Sequence, residues 1–514
     1  MLFNSFGFLL VFLPICVLGF FGLARYFGHF GAACWLAIAS IIFYGWWDYR
    51  YVPLLLASIA ANYYCGFHIG RAERNSAKKF WLVIAVISNL ALLAYYKYAD
   101  FFLLSMNGLV GSEFQPLNIV LPIGISFFTF TQIAFLVDTY QGKVREYRFV
   151  HYVLFVTYFP HLIAGPVLHH KEMMPQFADM ATYKATAENF AVGLTIFFIG
   201  LAKKVLIADN LSPYANGLFD APDSPSFFIA WGGVLAYAFQ LYFDFSGYSD
   251  MAIGLSRIFG IHLPLNFSSP YKAENISEFW RRWHMTLSRF LRDYLYVALG
   301  GNRHGRIRRY INLMLTMVLG GLWHGAGWNF AIWGGLHGAY LVINHAWAAF
   351  AQKMRLPVGT RLWRATATLL TFLAVCLAWV FFRAADLPTA LRIVDGLIGL
   401  QGISLPDAIG NRLGQLAPLL EQAGISFFLG GGSRFIETWA WVGIAALIAF
   451  ACPNTQEIMR HYRPALDYSP THNRSTSGRM AWYPSSRVGI ALGVLAALSL
   501  LALNRPSEFL YFQF

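Results

Sequence analysis

The chain has 514 residues, 57% of them hydrophobic and only 12% charged. A soluble domain carries about twice that share of charge, so an ordinary soluble fold is excluded. The formal charge of +13 does not indicate a nucleic-acid partner, because Lys and Arg collect in the cytoplasmic loops of membrane proteins and no basic arm or nucleic-acid motif is present.

Apolar runs long enough to span a bilayer recur along the whole chain, clearest at 6–23, 36–47, 51–66, 80–96, 190–207, 227–243, 330–350, 365–382, 435–451 and 488–503. The first lacks a basic n-region and a small-residue cleavage site, so it reads as a retained span. Shorter runs broken by Gly or Pro, at 121–137, 152–164, 285–299 and 311–322, fit re-entrant or tilted pieces surrounded by protein. The pattern predicts an all-α integral membrane protein with about eleven transmembrane helices. No repeat, linker or soluble domain interrupts it, so residues 1–514 are expected to form a single membrane domain. Cys16, Cys34, Cys65, Cys376 and Cys452 lie in or beside apolar runs without CxxC spacing, and read as packing residues.

Charge fixes an orientation. Basic loops at 71–79, 303–309, 353–364 and 460–487 are assigned to the cytoplasm. In 383–434 the arginines are balanced by Asp386, Asp395, Asp407 and Glu421, which fits the opposite side. The parity of the following spans then brings the tail 504–514 out on the extracytoplasmic face.

Two histidines stand in apolar, tryptophan-flanked sequence. His284 lies in Trp280-Arg281-Arg282-Trp283-His284-Met285-Thr286-Leu287-Ser288, and His324 in Gly320-Gly321-Leu322-Trp323-His324-Gly325. Ionisable groups are costly within a bilayer and are read by default as functional. Helical spacing puts His284, Leu287, Ser288 and Leu291 on one face, away from Arg282 and Arg289. The glycines around His324 permit close backbone approach, which suits a channel. Three readings stand: hydrogen-bonded core histidines, acid/base chemistry inside the membrane, and a metal site. The last is disfavoured, since neither His161, His169 and His170 nor the pair His324 and His337 has the adjacent-turn spacing of HExxH. Asp244, Ser246, Ser249 and Asp250 either line a channel or hydrogen-bond a broken helix. Arg281, Arg282 and Arg292 either meet donor phosphates or anchor an interface.

The stretch from Glu278 to Tyr296, followed by Gly-Gly-Leu-Trp-His324-Gly, resembles the membrane-bound O-acyltransferase family. Leu121-Pro122-Ile123-Gly124-Ile125-Ser126, Phe159-Pro160-His161-Leu162-Ile163-Ala164-Gly165-Pro166 and Gln240-Leu241-Tyr242-Phe243-Asp244-Phe245-Ser246-Gly247-Tyr248 resemble its bacterial branch, which serves alginate and cellulose O-acetylation and teichoic-acid D-alanylation. The joint pattern covers most of the first 350 residues.

The resemblance implies a funnel-like fold in a multi-pass protein of the bacterial inner membrane. The implied reaction is transfer of an acetyl group from a cytoplasmic thioester, acetyl-CoA or an acyl-carrier thioester, to an extracytoplasmic polysaccharide. No bound cofactor and no metal are implied. His324 matches the family's catalytic histidine, read as general base, and His284 its second polar position. Trp323, Asp244, Ser246, Arg282 and Asn275 are taken as substrate-binding. A periplasmic or extracellular acetyltransferase- or esterase-like partner is expected to complete the transfer. The ending Phe509-Leu510-Tyr511-Phe512-Gln513-Phe514 fits an aromatic interfacial belt. It also resembles the C-terminal motif of a small partner in the D-alanylation system, which would make Tyr511 an acyl relay. D-alanyl-type transfer, a proton-coupled transporter and a non-catalytic scaffold remain the alternatives.

Overall fold

A computed structural model describes residues 1–144, 148–163, 165–466, 481–505 and 510. Helices dominate. The strands among these residues are two short pieces, β1 (Ile403–Pro406) and β2 (Ile425–Phe428), paired in parallel with Ile403 opposite Ile425. Among the described residues, seven helical stretches are long and apolar enough to cross a membrane: Gly7–Gly45, Tyr49–Arg71, Asn75–Val110, Ala187–Phe219, Phe227–Ile258, Arg361–Arg383 and Gly432–Ala451. A shorter apolar helix follows at Ser486–Ala502. The chain is a multi-pass, mostly helical membrane protein.

Part of the difference between seven and the expected number lies at Gly28. The runs 6–23 and 36–47 fall in one stretch that includes α1 (Leu13–Gly45), yet α1 is not straight. Gly28 has φ 72° and ψ −176°, a conformation that glycine adopts without a Cβ penalty. The Trp35 indole donates to the Cys16 carbonyl at 3.1 Å. In a continuous helix those residues would stand about 28 Å apart, so the chain doubles back at Gly28 as two packed helices. The run 330–350 is helical as well, within Trp328–Lys353, but Asn329, His337 and Asn344 dilute the hydropathy of that helix and it is not among the seven.

Contacts divide the chain into two compact units, each built from separated segments. The first comprises Met1–Leu201, Gly247–Asn266 and Thr455–Asn504. Its core is aromatic: Phe3 stacks on Tyr248 at 4.6 Å between ring centres, and Phe8, Phe43 and Phe159 close around it. Buried Asn62 and Asn89 exchange amide hydrogen bonds of 2.6 and 3.2 Å. Asp250 accepts from Thr455 at 2.6 Å and from Gln456 at 2.7 Å, a hydrogen-bonding role within the fold.

The second unit comprises Ala202–Ser246, Phe267–Asn454 and Arg505–Phe514. A widened helical turn at Lys203–Ala208 leads into α2 (Asp209–Phe219). Next come α3 (Phe227–Ile258), whose residues from Gly247 onward count with the first unit, α4 (Ile276–Arg282), α5 (Met285–Phe290), α6 (Gly305–His324), α7 (Trp328–Lys353), α8 (Arg361–Arg383) and α9 (Gly432–Ala451). Helices α6 and α7 form a hairpin that packs backbone to backbone. A Cβ on Gly321 would lie 2.2 Å from the Phe330 carbonyl oxygen, and one on Gly334 would lie 2.3 Å from that of Met317. Small residues allow this approach in membrane helices, and it sets His324 at the hairpin tip. At the chain's end, Arg505 donates to the Asn210 side chain at 3.0 Å and Leu510 is buried among this unit's apolar side chains. Tyr511 lies outside the described residues.

Candidate active site

The local sequence explains how His284 is presented. Asn275 caps α4, its side chain accepting from the Glu278 amide at 2.9 Å, while the Glu278 carboxylate accepts from the Glu274 amide at 2.9 Å. Reciprocal capping of this kind fixes a helix start. The helix then ends after two turns: Trp283 is extended and His284 is left-handed at φ 43° and ψ 52°. A single continuous helix through His284, Leu287, Ser288 and Leu291 is therefore not what forms, and this corrects the face expected from spacing. The break still leaves His284 buried, with Leu287 and Leu291 buried on the next pieces. Non-glycine residues are uncommon at positive φ, though histidine is among the more tolerant.

His324 terminates α6, and Gly325 follows in an extended conformation. Its ring is half-buried and lies 6.3 Å from that of His284, centre to centre. Aromatic side chains enclose the pair. Around His324 stand Trp323 at 4.9 Å, Trp333 at 5.2 Å and Phe382 at 5.3 Å. Around His284 stand Phe245, edge-on at 4.8 Å, and Trp323 at 6.5 Å. Neither ring nitrogen of His284 has a hydrogen-bond partner among the described residues. A buried polar group left unsatisfied costs about 1–3 kcal/mol, and in a native site it signals a guest, a water or a reacting atom.

The other candidates stand in different surroundings. Trp323 is part of the enclosure. Asp244 forms an ion pair with Lys204 at 2.6 Å, and Lys204 also pairs with Asp209 at 2.7 Å, with the lysine side chain only 3% exposed. Phe245, next along the chain, is the ring that packs on His284, and Ser246 is buried beyond it. Arg282 is held by Glu278 at 2.5 Å and donates to the Ser268 carbonyl. Arg292 pairs with Asp293 at 2.7 Å, and Asn275 is engaged as the cap of α4.

Spacing alone does not mark Trp333, Phe382 or Lys204, and it marks His337 only as a disfavoured metal ligand. Trp333 and Phe382 enclose His324 from α7 and α8. Buried His337 accepts from the Trp280 indole at 3.3 Å and packs on Trp333 at 4.8 Å. Lys204 is a lysine inside an apolar run, where a cation is costly unless it is paired. Among the described residues no group of three or more His, Cys, Asp and Glu is arranged to hold a metal ion.

Residues 118–386, which contain both histidines and most of their enclosure, match the membrane-bound O-acyltransferase family. The chain is 47% identical over 431 residues to the peptidoglycan O-acetyltransferase of Helicobacter pylori, covering 79% of this chain and 81% of that protein. It is 39% identical over 531 residues to the probable alginate O-acetylase AlgI of Azotobacter vinelandii, covering both chains in full. A teichoic acid D-alanyltransferase of Streptococcus thermophilus is 26% identical over 291 residues, 51% of this chain and 68% of that one. The chain belongs to the membrane-bound O-acyltransferase family and is an acyltransferase that draws on an acyl donor.

Proposed function

We propose that this enzyme takes an acetyl group from a cytoplasmic thioester and delivers it for O-acetylation of a polysaccharide outside the bacterial inner membrane. The observation that carries the reading is the meeting of His284 and His324, 6.3 Å apart in an aromatic enclosure. A hydroxyl held against His324 gives its proton to the imidazole as its oxygen attacks the thioester carbonyl. The tetrahedral intermediate then expels the thiolate, which takes that proton back. A positioned base of this kind contributes about 10²–10⁴ in rate. His284, buried with no hydrogen-bond partner among the described residues, is suited to donate to the carbonyl oxygen as negative charge builds there.

The remaining roles belong to the same reading. Trp323 and Ser246 line the reacting space. Asp244 acts through Lys204 to hold the segment behind Phe245. Arg282 and Asn275 shape the approach through the capped helix that carries His284. Tyr511 is the first acceptor, its phenol passing acetyl outward to a periplasmic or extracellular esterase-like partner. Burial of Leu510 within the second unit supports a tail that returns to the protein.

Two acceptors are favoured by specific likenesses: an alginate-type exopolysaccharide, by relatives matched over their full length, and peptidoglycan, by the 47% identical relative. The test is acetyl transfer in a deletion strain complemented with the intact protein, with His324→Ala and with Tyr511→Phe. Ester acetate is assayed separately on exopolysaccharide and on muropeptides. Loss with His324→Ala is expected on one polymer, whereas undiminished acetate on both overturns the reading. Unchanged acetate with Tyr511→Phe removes the relay alone.

A further inference from the structure

Away from the histidines, a groove of about 830 Å³ runs between α7 and α8. Its walls are mostly apolar, with Ile343, Trp347, Ala367 and Leu370 among them, and Arg355 stands beyond the end of α7. From Tyr340 to Gln352 the α7 wall rises about 18 Å, close to the depth of one leaflet of a hydrocarbon core about 30 Å thick. Ile343 and Leu370 are 63% and 62% exposed, so the groove opens sideways where lipid chains would be. Near its Arg355 end Trp347 and Trp363 stack at 6.0 Å and 12°, as tryptophans do at a membrane interface. The charged residues of the wall are Arg355 and Glu274, and Lys353, Arg361 and Arg364 flank the same end in sequence.

We propose that this groove is a binding site for an anionic glycerophospholipid, one acyl chain lying along α7 and α8 and the phosphate at Arg355. The long apolar wall fits a chain, and the basic excess at one end fits an anionic headgroup. The competing occupant, the coenzyme arm of a thioester donor, would need amide partners along its length. Asn275 is engaged with the Glu278 amide, and Asn344 donates to Ser277 at 2.8 Å, which leaves Tyr340, Gln352, Thr366 and Thr371 as scattered uncharged partners in a lining that is otherwise mostly apolar. The site is independent of the acetyl-transfer reading.

The test is tryptophan quenching of the full-length protein in neutral detergent, titrated with phosphatidylglycerol or phosphatidylcholine carrying brominated chains. Saturable quenching is expected that the double variant Trp347→Phe/Trp363→Phe loses, at a phosphatidylglycerol fraction about five-fold below that needed for phosphatidylcholine. That factor is what one basic side chain near an anionic headgroup gives. Arg355→Gln, at an exposed position, should abolish the preference while leaving the melting temperature unchanged. Equal response to the two lipids, a preference that survives Arg355→Gln, or relief of quenching by coenzyme A would each overturn the proposal, the last by assigning the groove to the donor.

Discussion

The ring of His284 lies 6.3 Å from the ring of His324, although one follows a broken helix and the other ends an unbroken one. Two separate costs fall on His284. Its backbone is in the left-handed region, worth about 1–3 kcal/mol of strain for a non-glycine residue. Both of its ring nitrogens are buried without a partner among the described residues. Either cost alone has many structural explanations. Their coincidence on one side chain, beside a second histidine, is the observation on which the proposed role of His284 rests.

The two contributions of His284 separate by substitution. His284→Gly and His284→Ala remove the same ring, but only alanine keeps a Cβ at φ 43°. The glycine variant is expected to be more stable than the alanine variant by about 1 kcal/mol, read as a higher melting temperature in detergent. Both should lose acetyl transfer. Retained transfer in His284→Gly would reduce the residue to a backbone device that shapes the chain between α4 and α5.

Trp333 tests the enclosure. It is among the largest fully buried side chains and packs on His324, His337 and Trp379. Trp333→Ala is expected to destabilise by about 3–5 kcal/mol through the cavity it leaves. Trp333→Phe should cost well under half of that and lower transfer while leaving protein yield intact. Equal melting temperatures for the alanine variant and the wild type would show that the ring is not load-carrying in the fold.

Much of this centre was legible in the sequence, and for physical reasons. Costly residues in an apolar chain stand out, so His284 and His324 were marked before any contact was known. The aromatic box was not, because Trp333 and Phe382 are ordinary membrane residues until α7 and α8 bring them to His324. The hairpin at Gly28 was legible as two apolar runs. The helix break at Trp283–His284 was hidden, because period alone cannot show a single residue turning left-handed inside an otherwise helical pattern. Asn275, expected to be substrate-binding, is engaged as the cap of α4, one of the local uses of a polar residue beside a site.

Lys204 gives a stability prediction independent of catalysis. Its ammonium pairs with Asp209 and Asp244 at 2.7 and 2.6 Å in a buried cluster. Lys204→Met takes the ammonium away from both carboxylates, and breaking a buried pair in this way costs about 3–5 kcal/mol. Adding Asp209→Asn and Asp244→Asn removes the uncompensated charge and should recover much of the loss. The check is thermal unfolding of the single and triple variants side by side. A triple variant no more stable than the single would show that the loss comes from packing of the lysine stem instead.

Acid should weaken the first unit through His262, which lies outside the membrane-crossing helices. Its backbone is held by Gln176, which accepts from the His262 amide at 2.8 Å and donates to its carbonyl at 3.0 Å. Burial, reinforced by the Arg257 and Arg463 cations, pushes the imidazole down to about 4, against about 6.5 in an unfolded chain. Between those values the unfolded chain takes up a proton that the folded unit refuses, so this contribution is intact above about pH 6.5 and shrinks as pH falls towards 4. The full loss amounts to about 3 kcal/mol. His262→Gln cannot be protonated, so its melting temperature should fall less than that of the wild type between pH 7 and pH 4.5. Parallel falls in the two proteins would place the acid sensitivity on the carboxylates.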